Sequence, residues 1–306
     1  MHRFLPLLLT VFATFCFIRQ SYADRAADSL ELVKLYNSTD GAMWSITWDL
    51  QQPMNTWFGI SLDDNGQVIS VSLPGNNLKG ALPNLALPQC RLLSLSRNTL
   101  RDTLPLLGGL PNVLAVDLSR NEIDGHLFDF NMPKIDMLDL SYNKIQGSIP
   151  DFSKMTSMNT LRLQYNRLDG TLPDFSKMRS LLSLNVSGNF LEGPIPEFNF
   201  LPDLITLLLN DNQFVGSAPA FRGSPGLFLI DLSNNDLSGF MPSFTRQSTL
   251  EQLNVSGNRI VGPISNFSAN KLLKSIDISN NLLEGSLPDI KINTSLTDFK
   301  ANGNNF

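Results

Sequence analysis

The sequence lacks most of the parts that catalysis, metal binding and nucleic-acid binding require. Its 306 residues include two histidines and two cysteines, and acidic residues outnumber basic ones by 28 to 23. A nucleic-acid-binding protein needs a basic surface, which a formal charge of −5 does not indicate. No HExxH, GxxxxGK, nucleophile-elbow or kinase-loop motif is present in the sequence. We therefore expect no catalytic residues, metal site or cofactor in this stretch, and no nucleic-acid partner.

Residues 1–23 have the pattern of a secretory signal peptide. A short basic start precedes an apolar run from Phe4 to Phe17, and Ser21-Tyr22-Ala23 places small residues where signal peptidase cuts. The apolar run is too short to cross ~30 Å of hydrocarbon comfortably. We predict cleavage after Ala23, and no later apolar run in the sequence predicts a membrane span. The mature chain is then secreted or held on the extracellular face of the plasma membrane.

Removal of the leader leaves one cysteine and one histidine, so the mature chain has no internal disulfide. Cys90 stands where equivalent positions carry Val, Leu, Ile or Met, and we interpret it as a buried small hydrophobe. We interpret His126 as a solvated side chain rather than a catalyst.

A repeat of 22 or 23 residues dominates the chain from residue 68 onwards. The pattern hydrophobe-x-x-hydrophobe-x-hydrophobe-x-x-Asn occurs eleven times, with spacings of 22, 23, 22 and then 23 seven times. This pattern is typical of leucine-rich repeats, which stack into an α/β solenoid with a parallel sheet on its concave face. The predicted structural asparagine ladder consists of Asn76, Asn98, Asn121, Asn143, Asn166, Asn189, Asn212, Asn235, Asn258, Asn281 and Asn304.

Each position of the repeat has a predicted structural role. Leu161 and Leu163 point into the core because alternate strand residues face opposite sides, and Arg162 between them faces outwards. Asn166 is expected to be buried and to bond main-chain groups of the turn. Leu168 returns to the core, and Gly170 permits the following bend.

Residues 24–67 do not repeat and are predicted to form an N-terminal cap. Ala26, Leu30 and Val33, with Leu32 and Tyr36, indicate an amphipathic helix that ends before a turn cluster at residues 37–41. All three tryptophans follow in this segment. Because the ends of a solenoid require capping, we expect them to pack in the core rather than to form a ligand cage. They are Trp44, Trp48 and Trp57.

The cap and the repeats resemble those of plant-type extracellular leucine-rich-repeat proteins. Residues 29–36, the tryptophans and Trp57-Phe-Gly59-Ile60 are similar to the cap of that class, and Leu138-Asp-Leu-Ser-Tyr-Asn143 is similar to its repeats. The class includes receptor-like kinase ectodomains and polygalacturonase-inhibiting proteins. The Leu-Pro-Asp-Phe-Ser of residues 172–176 also resembles repeats of kinetoplastid surface antigens. The resemblance implies a right-handed leucine-rich-repeat superhelix.

The predicted organisation is therefore a signal peptide at 1–23, a cap at 24–67 and a solenoid at 68–306. The sequence stops in the middle of the eleventh repeat, two residues past Asn304. We expect it to be part of a longer product, which leaves open a kinase domain beyond residue 306.

Two groups of residues on the predicted outward strand face are candidate partner-binding sites. The first is a cluster of arginines and tyrosines, residue types that are enriched at binding hot spots. It consists of Arg97, Arg120, Tyr142, Arg162 and Tyr165. The second is an apolar patch, which suggests a partner or further packing. It consists of Ile205, Leu208, Phe228 and Leu229, with Leu182 beside them.

Two further sets of polar residues have alternative interpretations. Asp117, Asp139, Asp231 and Asp277 share one outward strand position, which we interpret as a solvated face rather than a calcium or catalytic site. Five Asn-x-Ser/Thr sequons fit glycosylation of an exported chain, at Asn37, Asn185, Asn254, Asn266 and Asn293. Glycans at Asn185 and Asn254 would confine binding to the arginine and tyrosine end.

These features favour a recognition module that binds a protein, peptide or glycan on its concave face, as a receptor or surface-antigen ectodomain. Two alternatives stay open at this point. One is a secreted inhibitor of a cell-wall-degrading enzyme, and the other is the N-terminal fragment of a receptor-like kinase.

Overall fold

A computed structural model describes residues 25–288 and 293–306. The predicted signal peptide lies outside these residues. Residues 25–38 form one α-helix, α1, and two short 3-10 helices follow at Gly41–Met43 and Met54–Thr56. Within the described part of the chain, no helix has the length and apolar character needed to cross a membrane.

One twelve-stranded sheet, the main sheet, runs through all the repeats. With all strands numbered in chain order, its members are β1 (Ile60–Leu62), β2 (Val68–Ser72), β4 (Leu92–Ser94), β6 (Ala115–Asp117), β7 (Met137–Asp139), β9 (Thr160–Arg162), β11 (Ser183–Asn185), β13 (Thr206–Leu208), β15 (Leu229–Asp231), β17 (Gln252–Asn254), β19 (Ser275–Asp277) and β21 (Asp298–Lys300). β1 pairs antiparallel with β2. All later neighbours are parallel and pair equivalent residues, such as Leu161 with Leu184. The predicted leucine-rich-repeat solenoid is confirmed.

A second row of short strands lies where each repeat leaves the main sheet. These lateral strands are β3 (Lys79–Ala81), β5 (Thr99–Arg101), β8 (Gln146–Gly147), β10 (Arg167–Leu168), β12 (Glu192–Gly193), β14 (Gln213–Ser217), β16 (Asp236–Ser238), β18 (Val261–Gly262) and β20 (Leu282–Leu283). They form small parallel sheets that the sequence analysis did not predict. The predicted core position of Leu168 and the bend at Gly170, whose φ is 71°, are confirmed.

The asparagine ladder joins successive repeats through buried amides. Asn166 Nδ2 donates to the carbonyl oxygens of Leu140 and Leu163, both at 3.0 Å, and its Oδ1 accepts from Ile145 N at 3.0 Å. Asn76 instead bonds the main chain of Ile46, and so ties the first repeat to the cap. Each amide thus satisfies main-chain groups of two neighbouring turns, as the sequence predicted.

A column of phenylalanines fills the outer part of the core. Its members lie 22 or 23 residues apart and are almost fully buried: Phe130, Phe152, Phe175, Phe198, Phe221, Phe244 and Phe267. Neighbouring rings stack, with centroids 6.4 Å apart for Phe130 and Phe152. The predicted core roles of Phe175 and Met178 are confirmed.

A second buried polar ladder lies beside this column in the later repeats. It consists of Ser224, Gln247, Asn270 and Asn293, which replace the Leu or Met of earlier repeats. Asn293 is 4% exposed, and its Nδ2 donates to Phe267 O at 3.1 Å and Asn270 O at 2.9 Å. The glycosylation prediction for Asn293 is therefore wrong for the folded chain, because both amide hydrogens are used inside it.

The cap covers the first repeat with a cluster of indole rings. Trp44, Trp48 and Trp57 are at most 5% exposed, and the Trp48 and Trp57 rings stack at 4.9 Å. Each indole N–H donates to a main-chain carbonyl, for example that of Trp44 to Thr39 O at 2.9 Å. The core-packing interpretation of the tryptophans is confirmed.

The buried face of α1 differs from the predicted one. Leu30 is 65% exposed and Ala26 is also exposed, whereas Leu32 and Leu35 are fully buried. The helix turns this way because two carboxylates on the buried side accept main-chain N–H groups of the first repeat. Asp28 Oδ2 accepts from Val68 N at 2.7 Å, and Glu31 Oε2 accepts from Ala86 N at 3.1 Å. Of the predicted residues, Leu32, Val33 and Tyr36 do pack in or against the core, so the prediction is wrong at Ala26 and Leu30.

Cys90 occupies the buried position that the sequence predicted. Its side chain is fully enclosed, and burial raises the pKa of the thiol to about 11. A neutral, enclosed thiol is not a reactive one.

Candidate functional site

The residue before each ladder asparagine has the same left-handed backbone conformation in all eleven repeats. We call these residues the turn column: Gly75, Arg97, Arg120, Tyr142, Tyr165, Gly188, Asp211, Asn234, Gly257, Asn280 and Gly303, with φ between 53° and 68°. Glycine, asparagine and aspartate adopt this conformation readily, whereas arginine and tyrosine do so at a cost of about 1–2 kcal/mol each. Four consecutive repeats therefore hold bulky side chains in a strained backbone.

This placement corrects one part of the sequence analysis. The four arginine and tyrosine side chains lie in the turns that follow the strands, and not on the outward face of the strands themselves. The glycines, asparagines and aspartate at the equivalent positions were the signal that could have revealed it.

The four side chains occupy equivalent positions of consecutive repeats, and we call them the Arg/Tyr stair. The guanidinium carbon of Arg120 lies 4.2 Å from the centroid of the Tyr142 ring, and the Tyr142 and Tyr165 rings stack at 4.6 Å with 26° between their planes. The Tyr165 ring in turn lies over Gly188, where a Cβ would meet it at 2.6 Å. Stacking thus holds the aromatic steps in place, with the tyrosines 37% and 46% exposed.

Arg162 is beside the stair but differs from it electrostatically. It is the last residue of β9, and its Nη1 lies 3.5 Å from Asp139 Oδ2 on the neighbouring strand. In the described residues, Arg97 and Arg120 have no carboxylate within ion-pair distance. The guanidinium groups available to an anionic ligand are therefore those of Arg97 and Arg120.

The shared aspartate position has a structural role that the solvated-face interpretation missed. Asp139 is 8% exposed, and its Oδ1 accepts from Ser141 N at 3.0 Å and Ser141 Oγ at 2.6 Å. Asp117, Asp231 and Asp277 make the same two bonds to the serine two residues on. One carboxylate oxygen in each repeat thus fixes the turn that carries the turn column.

Asn185 and Asn254 replace aspartate at this position and make the same bonds. Asn185 Oδ1 accepts from Ser187 N at 3.0 Å and Oγ at 2.8 Å, and Asn254 Oδ1 is bonded likewise by Ser256. Six of the eleven repeats carry Asn-x-Ser or Asp-x-Ser at this turn, so these two sequons also have a structural role. Asn37 and Asn266 are exposed and stay predicted glycosylation sites.

The apolar patch lies on the outward side of the main sheet, in the three repeats after the stair. Leu182 and Ile205 are 37% and 42% exposed, and Leu208, Phe228 and Leu229 are partly exposed. In the described chain, a cavity of about 210 Å³ begins at Leu208 and Leu229 and continues to Asp231 and Asp277. We call the outward side of the main sheet, together with the turn column, the strand face.

The chemistry of the strand face changes along the stack of repeats. The described residues contain no group of three or more His, Cys, Asp or Glu side chains that could hold a metal ion. His126 is exposed on the lateral side, where its ring lies over Gly147. What the face presents is guanidinium and phenol donors, then apolar side chains, then carboxylates.

Comparisons with known proteins agree with this architecture. A family described as Leucine Rich Repeat matches residues 134–155. A probable inactive receptor kinase of Arabidopsis thaliana, RLK902, is 38% identical over 91 residues, which are 28% of this chain and 13% of that protein. The chain therefore corresponds to only a small part of that kinase.

Solved structures with the same fold are also known. The leucine-rich-repeat ectodomain of the Arabidopsis receptor kinase HAESA, in complex with a peptide hormone, has a TM-score of 0.74 and 25% identity, and the match covers 92% of this chain and 54% of that one. A plant ice-binding protein has a TM-score of 0.70 at 22% identity, covering 91% and 86%, which shows the fold alone. The chain is a leucine-rich-repeat solenoid that is similar in fold to the ectodomain of a plant receptor kinase.

Proposed function

We propose that the chain is a recognition module that binds a peptide or protein ligand on its strand face, with the Arg/Tyr stair as the anchor. The observation that carries this proposal is the strained backbone at Arg97, Arg120, Tyr142 and Tyr165. Phe152, Phe175, Phe198 and Phe221 have a similar φ inside the core, where packing offsets the strain, whereas the stair side chains are exposed. Strained residues that no core packing supports are found at functional sites. The fold does not demand these residues, because glycine, asparagine or aspartate occupies the other seven positions of the turn column.

The mechanism is preorganised recognition, with no chemical step. The asparagine ladder and the stacked rings hold the binding groups in place before a ligand arrives. Little conformational entropy is then lost on binding, and the contact energy is available for affinity. The place of action is outside the cell or at its surface, which the predicted leader and the likeness to a receptor ectodomain support.

A peptide or protein suits the stair better than a neutral glycan does. Sugars commonly stack on an exposed aromatic face, but Arg120 and Tyr165 flank the Tyr142 ring, and the Tyr165 ring lies between Tyr142 and Gly188. The ring edges, with their hydroxyl groups, and the guanidinium groups are left for hydrogen bonding. The HAESA ectodomain, which was solved with a peptide hormone, supports the same ligand class.

The proposal is tested with a phage-displayed library of random 15-residue peptides selected on the full chain. Affinities of selected peptides are then measured by biolayer interferometry. We expect the variant R97N/R120N/Y142N/Y165N to bind at least about tenfold more weakly, because it loses the charged hydrogen-bond donors of the site.

The control variant is R222Q/R246Q, which removes two exposed arginines away from the strand face. It should bind as the wild type does. Wild-type affinity in the four-site variant, or the absence of any selected peptide, would refute the proposal.

A further inference from the structure

The strand face changes its charge along the stack of repeats, and this order specifies its ligand. We propose that the ligand is an extended peptide with an acidic residue at the stair, apolar residues in the middle and a basic residue over Asp231 and Asp277. This inference rests on the proposed function and adds the ligand's chemistry and its orientation on the face.

The stair end attracts an anion. Arg97 and Arg120 are exposed, and in the described part of the chain neither forms an ion pair. The stacked tyrosines beside them add phenol hydroxyl groups, which are hydrogen-bond donors. Guanidinium groups bind carboxylates through charge-assisted, often bidentate hydrogen bonds. An aspartate, glutamate or chain-terminal carboxylate fits this end.

The middle of the face selects apolar side chains. Leu182 and Ile205 start the apolar patch one and two repeats beyond Tyr165, and Phe228 continues it in the next repeat. No charged side chain occupies the outward strand positions of the two repeats that contain β11 and β13. Their one charged residue on the strand face is Asp211, in the turn column, so a ligand that crosses the strands themselves gains free energy by burying apolar groups on Leu182, Ile205 and Leu208.

The far end attracts a cation. From the repeat of β13 onwards, the strand face carries five carboxylates against two lysines, Lys274 and Lys300. Lys300 Nζ lies 3.8 Å from Asp277 Oδ2 and 3.3 Å from Asp298 Oδ2, and Lys274 pairs with Glu251. Asp231 forms no ion pair within the described chain.

The cavity between Leu208, Leu229, Asp231 and Asp277, which Lys300 also lines, is where we place the basic side chain of the ligand. The two leucines line one part of it, where they can contact the aliphatic stem of a lysine or arginine. The carboxylates line the other part, where the charged group would lie.

The geometry sets the distance between the two charges of the ligand. Arg120 and Asp231 lie five repeats apart, which corresponds to about 24 Å at the ~4.8 Å strand spacing. An extended peptide covers ~3.3 Å per residue, so about seven residues separate the acidic group from the basic one. The face itself does not fix which of the two comes first along the peptide.

The experiment sequences the peptide pools selected on the full chain and on two matched variants. R97N/R120N introduces asparagine, which the turn column already holds at Asn234 and Asn280. D231N/D277N keeps the turn, because Asn185 makes the same two hydrogen bonds in its own repeat. Both variants keep the hydrogen bonds of the turns, although R97N/R120N removes the contact of Arg120 with the Tyr142 ring and D231N/D277N removes the ion pair of Asp277 with Lys300.

On the wild type we expect enrichment of one acidic and one basic residue, about five to nine positions apart and with apolar residues between them. The acidic enrichment should disappear on R97N/R120N and the basic enrichment on D231N/D277N, with the apolar enrichment kept on both. A wild-type-selected peptide should lose about tenfold in affinity for each variant. Replacing the peptide's acidic residue by its amide should lower its affinity for the wild type about as much. The same replacement should not lower its affinity for R97N/R120N any further.

The outcomes separate the two proposals. Peptides that lose affinity on the four-site variant but show no charge order overturn this inference and leave the proposed function standing. Peptides that bind every strand-face variant like the wild type, or the absence of selected peptides, overturn both.

Discussion

Replacing the Arg/Tyr stair by asparagine should make the protein more stable while it abolishes binding. Arg97, Arg120, Tyr142 and Tyr165 have φ between 55° and 57°, where each non-glycine side chain costs about 1–2 kcal/mol and asparagine costs less. Relief of the backbone strain at all four positions adds about 4 kcal/mol to the free energy of unfolding. The variant loses the tyrosine stack, worth about 0.5–1.5 kcal/mol, and the cation–π contact, worth about 0.5–1 kcal/mol. The net expectation is about 2 kcal/mol of added stability.

The free energies of unfolding of the wild type and of R97N/R120N/Y142N/Y165N are measured by urea titration, with circular dichroism as the signal. A gain of about 2 kcal/mol corresponds to a rise of roughly 4–8 °C in Tm for a domain of this size. Alanine at the same four positions should lower the free energy of unfolding by about 1–2.5 kcal/mol, because alanine keeps the Cβ that causes the strain but loses the stack and the cation–π contact.

The reverse substitution is the matched control. Asn280 precedes Gly303 as Tyr165 precedes Gly188, so N280Y places a ring in an equivalent environment. It should destabilise the chain by about 1 kcal/mol. Equal stability of the four-asparagine variant and the wild type, together with a neutral N280Y, would refute the strain argument.

Three further predictions concern the ladder, the sequons and the thiol. Asn166→Ala leaves buried main-chain groups without partners and should cost about 3 kcal/mol or more in urea unfolding; a loss below about 1 kcal/mol would contradict the ladder's role. Expression in a glycosylating host and mass spectrometry should find glycans at Asn37 and Asn266, and none at Asn293. Cys90 should resist iodoacetamide at pH 8 until the chain unfolds, and rapid labelling of folded protein would show that its burial is wrong. Because folding raises the Cys90 pKa from 9.0 to about 11, stability should fall as pH rises through that range.

The spacing of the hydrophobic residues and the recurrent asparagine were sufficient to predict the solenoid. The hydrophobic spacing fixes which leucines enter the core, and the recurrent asparagine marks the turn of each coil, so the main sheet and the ladder followed directly. The lateral strands did not, because each has two to five residues and buries at most one of them, which is too few to show hydrophobic alternation. The face of α1 was missed in part, for another reason. Asp28 and Glu31 are buried by hydrogen bonds to the first repeat, and spacing rules treat carboxylates as solvated.

The site was only partly predictable because it depends on backbone conformation. The sequence identified Arg97, Arg120, Tyr142 and Tyr165 as a column, but their position in left-handed turns follows from the coordinates. The structural role of two sequon asparagines also depends on hydrogen bonds that the sequence does not reveal. An Asn-x-Ser tripeptide reads as a glycosylation signal in the sequence, whereas at Asn185 and Asn254 it is the asparagine form of a turn that aspartate makes elsewhere.

The repeats of this chain act as controls for one another. Across the turn column, glycine, asparagine, aspartate, arginine and tyrosine all have the same φ within 15°, so the fold imposes this backbone whatever side chain is present. A residue that the backbone tolerates poorly therefore cannot be explained by the needs of its own turn. Four such residues occur in consecutive repeats with exposed side chains, and three of them stack on one another. Core packing, which offsets the similar φ of Phe152 and Phe175, does not account for them, so we look for a cause outside the fold. A bound partner is such a cause, and it predicts that stability and affinity will change in opposite directions when the stair is removed.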